Sequence, residues 1–240
     1  MTTRMWLLAM LAVGGCPRTL EVGAERDGGR EARCPGDGGT LDLATLRALG
    51  VELPPRLLAK PTARVVITAN LDVRALMPVR AFDVQAPAQS SSASTSFVAY
   101  DSLSVAHPVT LYFVKTDDAS WDWHATVRGA ETVAGGELVE SASGTLEFNT
   151  DGALSIEYTN TSVFMFLDAA PQELAFDFGT SITEGGNGLD RTTGFAQPFE
   201  ASALQDGYPT GDATGVRADA SGNLIASYGN GQTRTIGRCR

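Results

Sequence analysis

The stretch VTLYFVKTDDASWDWHATV, Val109 to Val127, decides how this chain folds. Its first half places Val109, Leu111 and Phe113 on one side of an extended backbone and Thr110, Tyr112 and Val114 on the other. Its second half alternates Trp121, Trp123, Ala125 and Val127 against Asp122, His124 and Thr126. A period of two is the signature of strands, and TDDAS between the halves is turn chemistry. The stretch therefore predicts a β-hairpin over residues 109–127. The first strand is largely apolar on both faces, as expected inside a sandwich or barrel.

The same period recurs outward from that hairpin. ARVVITANL alternates Val65, Ile67 and Ala69 against Arg64, Val66 and Thr68, and TSFVAY leads into a DSLS turn. TLEFNTDGALSIEY predicts a second hairpin, with Leu146 and Phe148 before a turn at residues 149–152 and Leu154, Ile156 and Tyr158 after it. ELAFDFG sets Leu174, Phe176 and Phe178 on one face, and VRADASGNLIASYGNGQ predicts a last hairpin turning at residues 221–223. Residues 179–200 are polar and glycine-rich and read as a long loop. LDLATLRALG, residues 41–50, can make a short helix ending at Gly50, and Pro54-Pro55 stops anything longer. The expected fold is all-β: short antiparallel strands in a flattened barrel or sandwich, with Leu111, Phe113, Trp121, Trp123, Phe148 and Phe176 in its core.

The totals set limits on function. A chain of 240 residues with 43% hydrophobic and 19% charged residues buries a real core. Its formal net charge of −10 repels phosphate backbones and makes nucleic acid a poor partner. Gly-x-Ser-x-Gly, His-Glu-x-x-His and phosphate-loop motifs are missing from the sequence.

The N-terminus, MTTRMWLLAMLAVGGC, combines a charge at Arg4, an apolar run from Met5 to Val13, and small residues before Cys16. The run is too short to span a bilayer, and its order is that of a secretory signal. The small residues followed by cysteine resemble a bacterial lipoprotein signal, which implies cleavage and lipid attachment at Cys16. The other reading is a buried N-terminal helix with an ordinary core cysteine. Cys34 and Cys239 then flank nearly all of the remaining chain and are candidates for a disulfide in an oxidising compartment; two free thiols are the alternative. The expected organisation is a signal at 1–15, a tether with a short helix at 16–52, and a β-domain at 53–240.

Only two histidines are present. His107 precedes Pro108, which biases it to an extended conformation where a loop feeds a strand. His124 falls on the predicted exposed face beside Asp122. The two could approach each other from neighbouring strands, but the sequence points to no third metal ligand, and a structural hydrogen bond is the expected role of His107. Asn149, Asp151 and Glu157 faintly resemble a calcium loop, but their spacing is short and a β-turn fits better. Asp117-Asp118 reads as a solvated turn tip.

Four blocks carry a resemblance to a known family: TARVVITANLDVRA, FVAYDSLSVAHPVTLYFVKT, LEFNTDGAL and QDGYPTGDATGVRADASGNLIASYGNGQTRTIG. In this order they resemble the outer β-domain of the bacterial flagellar hook protein, from about Leu53 to Gly237. The resemblance makes His107 a recurring element of a turn rather than a catalyst. It implies a structural protein without enzymatic activity, cofactor or small-molecule substrate, whose partners are hook-like or envelope proteins. One departure is local: Ser104 stands where the family usually has glycine. Two others concern the whole chain. Long polymerising helices are expected at the ends of a hook subunit, and here the sequence runs from a signal-like start to TIGRCR. A lipobox-like start also points to general secretion and not to the flagellum's own export channel. The expected object is a hook-type outer domain held to the membrane by a lipid anchor, in the outer membrane or the flagellum. The alternative is an envelope lipoprotein that re-uses the domain for binding or adhesion.

Overall fold

The structure is a computed structural model and describes residues 39–238. Cys16, Cys34 and Cys239, and the signal-like stretch 1–15, lie outside the described residues. Among the described residues strands dominate, and helix is confined to Leu43–Ala48, Pro87–Ser90 and two single 3-10 turns. The described chain forms two compact units, residues 57–211 and residues 39–56 with 212–238.

In the larger unit, the hairpin at 109–127 is the centre of a six-stranded antiparallel sheet. Its order follows the chain: Ala93–Tyr100, Ala106–Lys115, Ser120–Arg128, Leu138–Phe148, Leu154–Phe164 and Gln172–Glu173. Leu111 pairs with Ala125 and Phe113 with Trp123, so the inward residues of both strands meet on one face. A second sheet is built around Arg64–Asn70. Glu200–Gln205 runs antiparallel along one side, while Ala175–Asp177 and Thr192–Thr193 run parallel along the other.

Between the sheets lies one apolar core that contains Val65, Ile67, Leu111, Phe113, Trp121, Trp123, Phe148, Phe176 and Phe178. The Trp123 ring stands 4.9 Å from Phe176 and 5.3 Å from Phe178, joining the middle of one sheet to an edge of the other. Burying each of these large side chains contributes about 2–3 kcal/mol. The all-β expectation holds, and because both sheets stay open the architecture is a sandwich and not a closed barrel.

Three elements differ from the sequence expectation. The polar stretch 179–200 is more than a loop: it holds a 3-10 turn at Ile182–Glu184 and the two-residue strand Thr192–Thr193, whose period is too short to read. Residues 71–92 wrap the six-stranded sheet: Leu71 and Ala75 pack on its inner core, and Phe82 lies over its outer face. Phe82 stacks on His124 at 3.9 Å, the Lys115 ammonium donates to the Val73 carbonyl, and Gln85 Nε2 donates to Leu138 O at 3.1 Å. His124 is therefore half-buried rather than exposed.

The third difference concerns the domain boundary, expected as a single β-domain from residue 53. The strands Gly211–Ala218, Asn223–Tyr228 and Thr233–Arg238 form a separate antiparallel sheet whose outer neighbour is Thr40–Leu41. Helix Leu43–Ala48 is where the sequence placed it, with Asp42 Oδ1 accepting from Thr45 N at 2.7 Å as the N-cap. Leu41, Leu46 and Val51 are buried with Val216, Leu224, Ala226 and Tyr228, so residues 41–51 belong to a small core. The three buried positions, Leu41, Leu46 and Val51, are spaced by five and share no strand or helix period, so the sequence alone reads a short helix within a tether.

Candidate functional site

The stretch YDSLSVAH folds into a closed electrostatic cluster. The turn is held by Asp101, whose Oδ1 accepts from Leu103 N and Val105 N at 2.8 Å each. Ser104 within it has φ +73°, the left-handed region that suits glycine. The chain then enters Ala106–Lys115 with His107 pointing inward, buried against Phe166. His107 Nε2 lies 3.0 Å from Asp101 Oδ2, and Nδ1 lies 2.9 Å from Glu131 Oε2. Each ring nitrogen thus faces its own carboxyl group, one from the turn and one from Glu131. Burial pushes the Asp101 carboxyl up, but the bonds from His107, Val105 and Leu103 outweigh it and hold it below the usual range. A ring with both nitrogens occupied and almost no exposure offers neither a base nor an open ligand position.

His124 sits elsewhere. Register pairs it with Tyr112, on the opposite face from Leu111 and Phe113, whereas His107 shares their inward face. The two histidines are not brought together. His124 Nδ1 lies 3.3 Å from Glu140 Oε1, an ion-pair contact without good hydrogen-bond alignment. That contact holds the Glu140 carboxyl below its ordinary value against a smaller opposing effect of burial.

Two further motifs are also turned inward on the fold. Asn70, after the threonine of RVVITAN, donates from Nδ2 to Gln197 O at 2.8 Å and accepts on Oδ1 from Phe195 N at 3.0 Å, pinning the 193–198 segment to its strand. In QDGY, Gln205 Oε1 accepts from Thr62 Oγ1 at 2.9 Å. Asp206 Oδ1 accepts from Ala63 N and Arg64 N at 2.9 Å each, and its Oδ2 meets Lys60 Nζ at 2.6 Å. Burial raises the Asp206 carboxyl, yet these donors bring it down to about 2. Gly207 permits the approach: a Cβ there would stand 2.4 Å from Thr62 Oγ1.

The remaining acidic candidates separate. Asn149 Oδ1 caps the backbone N–H of Asp151 and Ala153, and Gly152 takes φ +75°, which is the expected turn. Glu157 is on the following strand. Burial, then the nearby Glu184 and Asp177 charges, push its carboxyl up to about 7. Asp117 and Asp118 occupy an exposed turn. Among the described residues no group of three His, Cys, Asp or Glu is arranged to hold a metal ion. Sequence reasoning missed Glu131 and Phe82 and weighed Glu157 only as part of a calcium loop; each meets its partners only through tertiary folding, and no spacing signal marks those contacts.

Residues 70–208, more than half of the chain, match the family described as flagellar basal body protein FlaE D2 domain. The flagellar hook protein FlgE of Escherichia coli K12 is 26% identical over 193 residues, covering 78% of this chain and 44% of that protein. FlgE of Helicobacter pylori 26695 is 29% identical over 151 residues, covering 60% and 20%, and FlgE of Treponema pallidum is 26% identical over 223 residues, covering 81% and 48%. The chain thus spans less than half the length of these relatives. Among solved structures, the H. pylori flagellar hook protein FlgE2 overlays with a TM-score of 0.42 at 13% identity, covering 61% of this chain and 31% of that one. The 32 kDa fragment of Caulobacter crescentus FlgE gives 0.39 at 15%, covering 48% and 46%. The blocks that hold Asn70, Asp101, His107 and Asp206 in place lie inside the matched span, and the chain belongs to the flagellar hook protein family.

Proposed function

We propose that the chain is a structural, non-enzymatic component of hook type, a β-rich module that packs against hook-like subunits. The observation that carries this reading is how the motifs are spent. Asn70, Asp101, His107, Gln205 and Asp206 all face internal donors or acceptors, so the residues that mark the family build a rigid body and leave no reactive group free. A rigid, acidic, motif-stapled sandwich suits a load-bearing surface element. The test is mass spectrometry of purified hook–basal-body complexes. The chain is expected in them, and its loss is expected when the hook genes are deleted. Recovery in the envelope fraction, unchanged by that deletion, would favour re-use of the domain for adhesion.

The sequence MTTRMWLLAMLAVGGC supports a finer proposal: export, and attachment to the envelope through a lipid on Cys16. The intact mass of the membrane-derived protein decides this. Loss of residues 1–15 with a lipid-sized increment supports the anchor, and an intact, unmodified Met1 rejects it. A Cys34–Cys239 bond would join the two flanks of the described residues and stabilise them by on the order of 5 kcal/mol in the chain-entropy account. A non-reducing peptide map reads it directly.

A further inference from the structure

The segment VRALMPVRAF, Val73 to Phe82, carries an apolar tip that covers nothing. Leu76 is 87% exposed, Met77 54% and Val79 102%. Three large apolar side chains standing clear of the surface within four residues mark a contact surface in a soluble body. The tip is flanked by arginines. Arg74 is paired with Asp72, whereas Arg80 makes no ion pair among the described residues. The segment from Val73 to Phe82 contains no acid, in a unit where residues 57–211 hold seven Lys and Arg against nineteen Asp and Glu.

A groove of about 640 Å³ adjoins the base of the tip, with Val73 in its wall. Phe148 and Phe195 give it an apolar floor, and Asp118 and Asp151, from the turns at 116–120 and 149–152, stand at its rim. Both aspartates are exposed and neither forms an ion pair among the described residues. Tip and groove are therefore complementary in polarity and in charge: an apolar knob with a free cation, and an apolar hollow with free anions. The exposure of Leu76 and Val79 shows that the tip does not fill the groove of its own molecule.

We propose that the occupant of this groove is the Leu76–Val79 tip of a second copy of the chain, with Arg80 reaching Asp118 and Asp151. Because tip and groove adjoin at Val73, a twofold axis beside them satisfies both contacts at once, and the pair closes as a dimer rather than an open string. The dimer goes beyond the structural role proposed above and does not depend on it.

Sedimentation of the full chain over a wide range of concentration tests it. The expected result is a reversible rise from monomer to twice the monomer mass. Val79→Asp should leave only monomer, with an unchanged melting temperature because the residue is solvent-exposed. Arg80→Glu should raise the dissociation constant about ten-fold, and adding Asp151→Arg should recover most of that loss. A chain that stays monomeric at every concentration overturns the proposal, as does a dimer that survives Val79→Asp. Neither outcome alters whether the chain is found in hook–basal-body complexes, so the two readings fail separately.

Discussion

The imidazole of His107 lies flat against the ring of Phe166, their centroids 3.8 Å apart and their planes 9° from parallel. The ring is thus fixed by an aromatic face as well as by Asp101 and Glu131 at its two nitrogens. A ring stacked on one face and hydrogen-bonded at both nitrogens is held from three sides.

Removing that ring should be severe. His107→Ala leaves Asp101 and Glu131 without their common partner and opens a space beside Phe166, and we expect a loss of about 3–5 kcal/mol. His107→Gln restores donation to one carboxylate only and should fall between the variant and the wild type. Urea denaturation at pH 6 reads both. A loss under 1 kcal/mol for the alanine variant would show that the cluster does not hold the turn.

The junction between the sheets is the second point of weakness. Trp123 is fully buried between Phe176 and Phe178, so Trp123→Ala should cost about 3–5 kcal/mol by thermal or chemical unfolding. Across the sheet the ring leans on Gly144, where a Cβ would stand 2.7 Å from the indole and 2.1 Å from Tyr158 O. Gly144→Ala should therefore cost about 1–3 kcal/mol through overpacking, with the far-ultraviolet spectrum of the sheet retained. Tolerance of both changes would place the core elsewhere.

How much of this was legible in the sequence varies by residue. Trp121, Trp123, Leu111 and Phe113 announce themselves because a period of two over two adjacent runs has one physical solution. Leu174, Phe176 and Phe178 do so too, although alternation could not tell that the chain changes sheets between Glu173 and Ala175. The structural hydrogen-bonding role of His107 was suggested by its place before Pro108 and by the family resemblance, but Glu131, its second partner, arrives from a 3-10 turn twenty-four residues on. His124 was placed on an exposed face because pattern sees a strand and not the segment that later lies over it. Residues 41–51 read as a tether with a short helix because the strand partner of Leu41 is Val216, 175 positions away. What fails to be read is contact between distant segments, which carries no local period.

Ser104 offers a finer test. Its left-handed backbone, φ +73°, is strained for a side chain by about 1 kcal/mol, but its Oγ accepts from Thr210 N at 3.1 Å. Ser104→Ala keeps the strain and loses the bond, and we expect it to be about 1 kcal/mol less stable. Ser104→Gly loses the same bond and relieves the strain, so it should be more stable than the alanine variant and near the wild type. If glycine proves the less stable of the two, the turn does not hold serine in this conformation.

Glu157 and Asp206 set opposite limits on pH. The Asp206 carboxyl is depressed to about 2, so its contribution is present above the unfolded value near 4 and is lost as pH falls toward 2. The Asp101 carboxyl is lowered as well and acts in the same direction. Glu157 is raised to about 7, chiefly by burial and then by Glu184 and Asp177. For a raised acid the charged form is the one the fold disfavours, so stability is full below the unfolded value near 4.5 and declines as pH rises through 7. Glu157→Gln keeps an acceptor for Phe178 N and removes the charge. It should match the wild type near pH 4.5 and exceed it by about 1–2 kcal/mol at pH 8, after allowance for solvent screening. Denaturation curves of both proteins at pH 4.5, 6 and 8 measure the difference, and a gap that does not widen with pH would place the Glu157 carboxylate in water rather than against Glu184 and Asp177.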